Sequence, residues 1–489
     1  MTTRMGAGSS AGWTGRRFAL VLAVLLLLGG AGCGGDGGSE SRVGGSEVSD
    51  SAVPVAGISA PVAEPTADTV DSLSDPLDQP GPPAAAPDAA ASDEPASTEL
   101  AEDDPADPPP PSFTRPDRIR GIYLNAWLSG STARTETLIE MARRTEINTF
   151  VIDVKDDTGY LSYRTGVELA GEIGADQELR ILDIGRLLRR LEEEGIYPIA
   201  RIVLFKDHLL AQQRPDMAIQ DSAGGVWVDG RGDVWVNPYD ERVWAYHAEI
   251  AREAVELGFP EIQWDYVRFP DRPQSELERA VFPGRGERTR SQAIRDFLVW
   301  SGEELHDLDV PLSADVFGMA TSARSDVGIG QLWEDFIDVV DAALPMIYPS
   351  HYWEGSFGIQ EPNAHPYEVV GAALRHAVRR NAEVENPGRI IPWLQDFTLG
   401  SPRYEGPEVR AQILATYDAG IEEWILWNSA GRYTEAAFEP VGGWGDSGEP
   451  WIRFDGEIVP ADSRLAVPAA SDEAEAGADA GQPRARDAG

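Results

Sequence analysis

Cysteine is almost absent from this 489-residue chain: Cys33 is the only one. No disulfide can form within the chain, and no thiol nucleophile exists beyond position 33. Lysine is nearly as scarce, with Lys155 and Lys206 alone, and no basic run occurs anywhere. Nucleic-acid binding, which needs a basic face, finds no support. The 6 histidines are scattered without HExxH or HxxEH spacing, so a zinc hydrolase is unsupported. Asp207 with His208 is at best a fragment of the Asp and two-His cluster that a metal-dependent deacetylase needs. From Arg118 onward there is no GxSxG elbow, no glycine-rich phosphate loop after the first candidate strand and no fixed internal repeat.

Long apolar runs are also missing, with one exception. FALVLAVLLLLGGAGC follows Arg16 and Arg17 and ends in small residues at Cys33. It has signal-peptide length and is too short and too glycine-interrupted for a membrane span. GGAGC resembles the lipobox of bacterial lipoproteins, with Gly30 standing where leucine is usual. That resemblance implies acylation of Cys33 and a cell-envelope lipoprotein; an ordinary secretory signal is the alternative, and both predict export. The formal net charge of −41 is uneven. Between Gly34 and Ser112 the only base is Arg42, in a stretch of Ala, Pro, Gly, Ser and acids that cannot bury a core. The expected organisation is a signal segment (1–33), a disordered linker (34–115), a folded domain (118–435), a C-terminal extension (436–467) and a disordered tail (468–489).

Within the folded domain, short apolar runs alternate with longer amphipathic ones. Eight strands are predicted: 120–127, 148–157, 197–207, 261–270, 310–318, 342–352, 389–397 and 422–429. Helices are predicted at 135–144, 183–194, 240–257, 291–305, 367–381 and 408–419, with only the connection around 329–340 short and equivocal. Strands apolar on both faces that alternate with helices imply a parallel sheet, and eight such units imply a closed (β/α)8 TIM barrel. An open doubly wound sheet is the alternative.

Barrels carry their chemistry where strands end, and the polar residues gather there. In EIQWDYVRFP, alternation puts Gln263 and Asp265 on one face and Trp264 and Tyr266 on the other, with the first face toward the lumen. SADVFG places Asp315 at the end of the next strand. Adjacent strands are roughly 5 Å apart, so these two acids can face one substrate atom. A glycoside hydrolase needs such a pair, one to protonate the leaving oxygen and one to attack or to activate water. Asp265 and Asp315 are therefore the catalytic candidates. Asp153 is expected to share a strand face with Lys155, which would neutralise it, and both are candidate sugar ligands. Arg268, His351 and Asp396 are further substrate-binding candidates, and Trp127, Tyr348 and Trp353 are the candidate stacking aromatics.

RGIYLNAW, FVIDVKDD, EIQWDYVRFP, SADVFG and ALPMIYPSHY resemble, in that order, a bacterial glycoside hydrolase domain family known as domain of unknown function 4015. The resemblance spans roughly residues 118–432. It implies a TIM barrel and, on the pattern of related barrels, an acid at the end of strand four, which falls on Asp265. Two functions follow as expectations: an exported hydrolase of an extracellular or envelope polysaccharide, or a noncatalytic sugar-binding barrel. In both the partners are a glycan and, through an anchor, a membrane. No cofactor, metal or nucleic acid is expected, and the barrel is expected to act as a monomer.

Overall fold

The computed structural model describes residues 109–466; the leader with Cys33, the linker up to residue 108 and the tail from residue 467 lie outside the described residues. Eight parallel strands form the barrel: β1 (Arg120–Leu124), β2 (Thr149–Lys155), β3 (Tyr197–Val203), β4 (Ile262–Asp265), β5 (Leu312–Phe317), β6 (Ala342–Ile347), β7 (Arg389–Ile390, resumed at Trp393–Gln395) and β8 (Trp424–Trp427). Each pairs with the next, and β8 pairs with β1 to close the ring. The break in β7 falls at Ile391 and Pro392, where proline has no N–H to give the ladder.

Outside the barrel lie α1 (Thr132–Arg144), α2 (Ile184–Glu194), α3 (Glu241–Leu257), α4 (Arg290–Glu304), the single turn α5 (Trp333–Phe336), α6 (Pro366–Asn381) and α7 (Gly406–Asp418). Their starts are written in the sequence: the side chains of Asp183, Asp240 and Thr289 accept first-turn N–H groups of α2, α3 and α4. Gly195 and Gly258 end α2 and α3 in left-handed conformation. The equivocal stretch between β5 and β6 holds only α5, whose Trp333 and Phe336 are buried against the barrel. The C-terminal extension forms a hairpin, Ile452–Phe454 with Glu457–Val459, that packs Ile452 on Ala411 and Leu414 of α7.

Two cores result. One, between strands and helices, includes Phe150, Trp264, Phe297 and Trp424. The other fills the lumen with Tyr123, Val151, Ile199, Leu344, Trp393 and Ile425. At the floor, where the strands begin, Phe113 packs against the lumen cluster, and Arg115 pairs with Glu423 at 2.7 Å and Glu261 at 3.5 Å. Part of the segment read as linker is thus a plug.

Strand β2 departs from simple alternation. Asp153 pairs with Arg201, but Lys155 pairs with Ile202, so two residues of β2 oppose one of β3. This bulge turns Lys155 to the helix side. Its Nζ is fully buried, 2.8 Å from Asp207 Oδ2 and 2.8 Å from the Val203 carbonyl. Lys155, expected beside Asp153 as a sugar ligand, is instead a buried structural cation. Replacing one member of a buried pair strands the other's charge, a loss of ~3–5 kcal/mol. Lys155→Met should lower the unfolding free energy by about that amount in urea melts; a loss below about 1 kcal/mol would show that Asp207 does not need it.

Candidate active site

A cavity of about 510 Å³ opens at the carboxyl ends of the strands, with Asp153, Arg201, Asp265 and Asp315 at its base. All four are at least nine-tenths buried. Arg201, from the middle of β3, organises them. Its Nη1 donates to Asp153 Oδ1 at 2.5 Å, and its Nε and Nη2 donate to Asp265 Oδ2, Nε at 2.9 Å. Nε also lies 3.9 Å from Asp315 Oδ2. Asp265 and Asp315 therefore face each other across one nitrogen, well inside the roughly 10 Å limit for a pair of carboxyls acting on one glycosidic bond.

The three acids have different surroundings. Asp265 Oδ1 accepts the Tyr266 backbone N–H at 2.5 Å, and Tyr266 itself takes a left-handed conformation, φ 49°. Such a backbone is uncommon for a bulky residue and recurs at functional sites. Asp315 accepts from Gln263 Nε2 at 2.8 and 2.9 Å and from Trp393 Nε1 at 2.7 Å. Burial first, and the charge of Asp265 second, push the Asp315 carboxyl well above the usual range. Asp153 accepts from Tyr123 Oη at 2.5 Å, and burial raises it to about 6 against the pull of Arg201.

Aromatic rings wall the cavity. Tyr123 and Trp427 stack at 4.0 Å and 12°, with the Arg201 guanidinium 5.4 and 5.3 Å from their centroids. Trp127 and Tyr348 line the cavity, Trp127 being 62% exposed at the rim with Arg180 over its ring. The chain between β3 and α3 pairs Gln220–Asp221 with Ala280–Val281 and delivers Asp229, Arg231, Asp233 and Trp235 to the mouth.

Of the substrate-binding candidates, Asp153, Arg268, Trp127 and Tyr348 line this cavity with Asp265 and Asp315. His351 does not: its Nδ1 meets Ser350 Oγ at 3.0 Å, and it faces a much smaller adjoining pocket with Tyr348 and Tyr352. Trp353 is half exposed on the loop beyond and lines neither. Asp396 is buried away from the cavity, where it accepts from Thr434 N at 2.8 Å and Oγ1 at 2.6 Å and ties down the turn after β8; burial raises it to about 7. Asp396 sits one residue past the strand, and Gln395 points elsewhere, to Ser350 and Phe397. Tyr266, expected beneath the helices with Trp264, reaches the cavity because its positive φ ends the alternation. Arg201 is the residue sequence reasoning missed. Its signal was present, since a guanidinium inside an apolar strand must find carboxylates. Among the described residues, no group of three or more His, Cys, Asp or Glu is placed to hold a metal ion.

Acids converging at the carboxyl end of a (β/α)8 barrel, within an aromatic-walled cavity, define a barrel with an enzyme-type site at its mouth. The chain belongs to the family described as "Putative glycosyl hydrolase domain", domain of unknown function 4015, whose model matches residues 121–433. Among solved structures it resembles a hypothetical protein from Ruminiclostridium thermocellum, at 38% identity over 40% of this chain and 97% of that one, TM-score 0.37. It also resembles the PgaB (BpsB) glycoside hydrolase domain from Bordetella bronchiseptica, at 12% identity over 64% and 94% of the two chains, TM-score 0.47. A third is the α-galactosidase TtGalA from Thermus thermophilus, at 14% identity over 65% and 59%, TM-score 0.39. No curated protein matches.

Arg201→Gln tests the charge balance. A carboxyl raised to about 6, as in Asp153, favours the fold below its unfolded value of about 4 and loses that contribution as pH rises through 6. Without Arg201 the carboxyl rises further. The variant's stability deficit in urea melts should therefore grow between pH 6 and 8 and shrink toward pH 5; a deficit independent of pH would separate Arg201 from Asp153.

Proposed function

We propose that the barrel hydrolyses a glycosidic bond with Asp265 and Asp315 as the reacting pair. The observation that supports this most is the sharing of Arg201 by these two carboxyls at the base of an aromatic-walled cavity. Asp315, whose carboxyl burial and the neighbouring Asp265 push well above the usual range, holds its proton more tightly than an ordinary carboxyl and gives it to the leaving oxygen. Asp265, oriented by Arg201 and by the Tyr266 amide, supplies the carboxylate that attacks the anomeric carbon or takes the proton of the attacking water. Asp153, tied to Tyr123 and Arg201, binds sugar hydroxyls, and Trp127 and Tyr348 offer faces for stacking. The run that ends at Cys33 supports export, and an extracellular or envelope polysaccharide is the substrate on this reading.

Purified protein should release reducing ends from at least one polysaccharide of a broad panel. Asp265→Asn and Asp315→Asn should each lower the rate by roughly 10²–10⁴-fold. Activity should fall as pH rises and Asp315 loses its proton. On an aryl glycoside of the sugar so identified, with a weakly basic phenolate to expel, Asp315→Asn should recover much of its rate and Asp265→Asn should not. Equal release by wild type and Asp265→Asn would remove Asp265 from the mechanism. Binding of a polymer with no release would make the barrel a sugar-binding module.

A further inference from the structure

Among the described residues, the cavity wall contains a buried cation without a counter-charge. Arg268 leaves β4 three residues after Asp265, lines the cavity and is only 5% exposed. Its guanidinium lies 5.2, 4.6 and 4.7 Å from the ring centroids of Trp235, Tyr266 and Phe317. Among the described residues it makes one hydrogen bond, from Nη1 to the Phe269 carbonyl at 3.3 Å, and no carboxylate pairs with it. The acids at the same mouth are differently placed. Asp156 is held by Arg180, Asp157 by Lys206 at 2.9 Å, and Asp229 by Arg272 at 3.7 Å. Asp233 shares Lys206 at 3.7 Å, and Asp271 is itself engaged.

A guanidinium does not deprotonate in a protein, so Arg268 presents a full positive charge at the cavity wall with little exposure to water. Aromatic faces compensate part of that cost. Most of its five N–H donors have no acceptor among the described residues, and their planar fork suits an anion that offers two oxygens. Arg231, exposed at the mouth, adds a second positive group on the approach.

We propose that Arg268 recognises a negatively charged substituent of the sugar, a carboxylate, sulfate or phosphate, so that the glycan bound in this cavity is acidic. The identity of the ligand as a sugar rests on the proposed glycoside cleavage, whereas the charge preference rests on Arg268 alone. Because Arg268 stacks on Tyr266, whose amide holds Asp265, the charged sugar sits at or next to the ring that is cleaved.

Binding to wild type and to Asp265→Asn is measured by calorimetry with glucuronate, galacturonate, glucose 6-sulfate and glucose 6-phosphate, each beside its neutral parent sugar. At least one charged sugar should bind about tenfold or more tighter than its parent, and its identity separates carboxylate from sulfate and phosphate. Arg268→Met, which keeps the stem in the aromatic cage, should erase that preference. Arg268→Lys, which keeps the charge but loses the fork, should retain part of it and serves if the methionine variant does not fold. Equal binding of charged and neutral sugars by wild type, no binding of any charged sugar, or a preference that survives both substitutions would overturn the proposal. A charge preference without hydrolysis of any polymer would keep this inference and remove the proposed function; hydrolysis of a neutral polymer without a charge preference would do the reverse.

Discussion

One guanidinium sets the electrostatics of the barrel mouth. Arg201 is nearly out of contact with water and holds Asp153 and Asp265 directly while facing Asp315. Three buried carboxyls cannot all be ionised around one cation without large cost, so charge and proton must be divided among them. Burial and the neighbouring Asp265 push Asp315 well above the usual carboxylate range, and burial raises Asp153 to about 6. The same arginine covers the stacked Tyr123 and Trp427, so the apolar wall and the polar base share a part. Two strands supply what Arg201 needs: the bulge in β2 keeps Asp153 inward while sending Lys155 out to Asp207, and the left-handed Tyr266 ends β4 with its amide on Asp265.

The fold was largely legible because its determinants are local. Strands such as FVIDVK and YPIARIV are apolar on both faces, and helix starts at Asp183, Asp240 and Thr289 carry their own capping side chains. The site was legible in part, because strand alternation correctly brought Asp265, Asp315 and Asp153 to one mouth. It failed at two places where alternation itself fails. A bulge between Asp153 and Lys155 and a positive φ at Tyr266 are backbone events that no side-chain pattern announces. Arg201 escaped for a different reason: attention to residues at strand ends passes over a charge in the middle of a strand. His351, Trp353 and Asp396 lie one or more residues beyond their strands, where the loop and not the pleat decides direction.

The mouth is asymmetric. The long connections after β3 and β4 interlock through Gln220–Asp221 and Ala280–Val281 and raise a charged wall on one side, with Arg272 bound to Glu276 and Asp229. On the opposite side, β7 and β8 present Trp393 and Trp427 almost without intervening structure. A ligand in this cavity therefore meets paired and unpaired charge along one flank and flat apolar surface along the other, which gives it a defined orientation before any bond is strained.

The barrel floor has a consequence for how the domain is held. Phe113 and Arg115 bring the chain in among the strand beginnings, with Arg115 locked between Glu261 and Glu423. Residues 113–115 thus close the barrel at its base, at the pole opposite the cavity, so that the ends of the strands are held by different means: apolar packing and ion pairs at the floor, a shared guanidinium at the mouth.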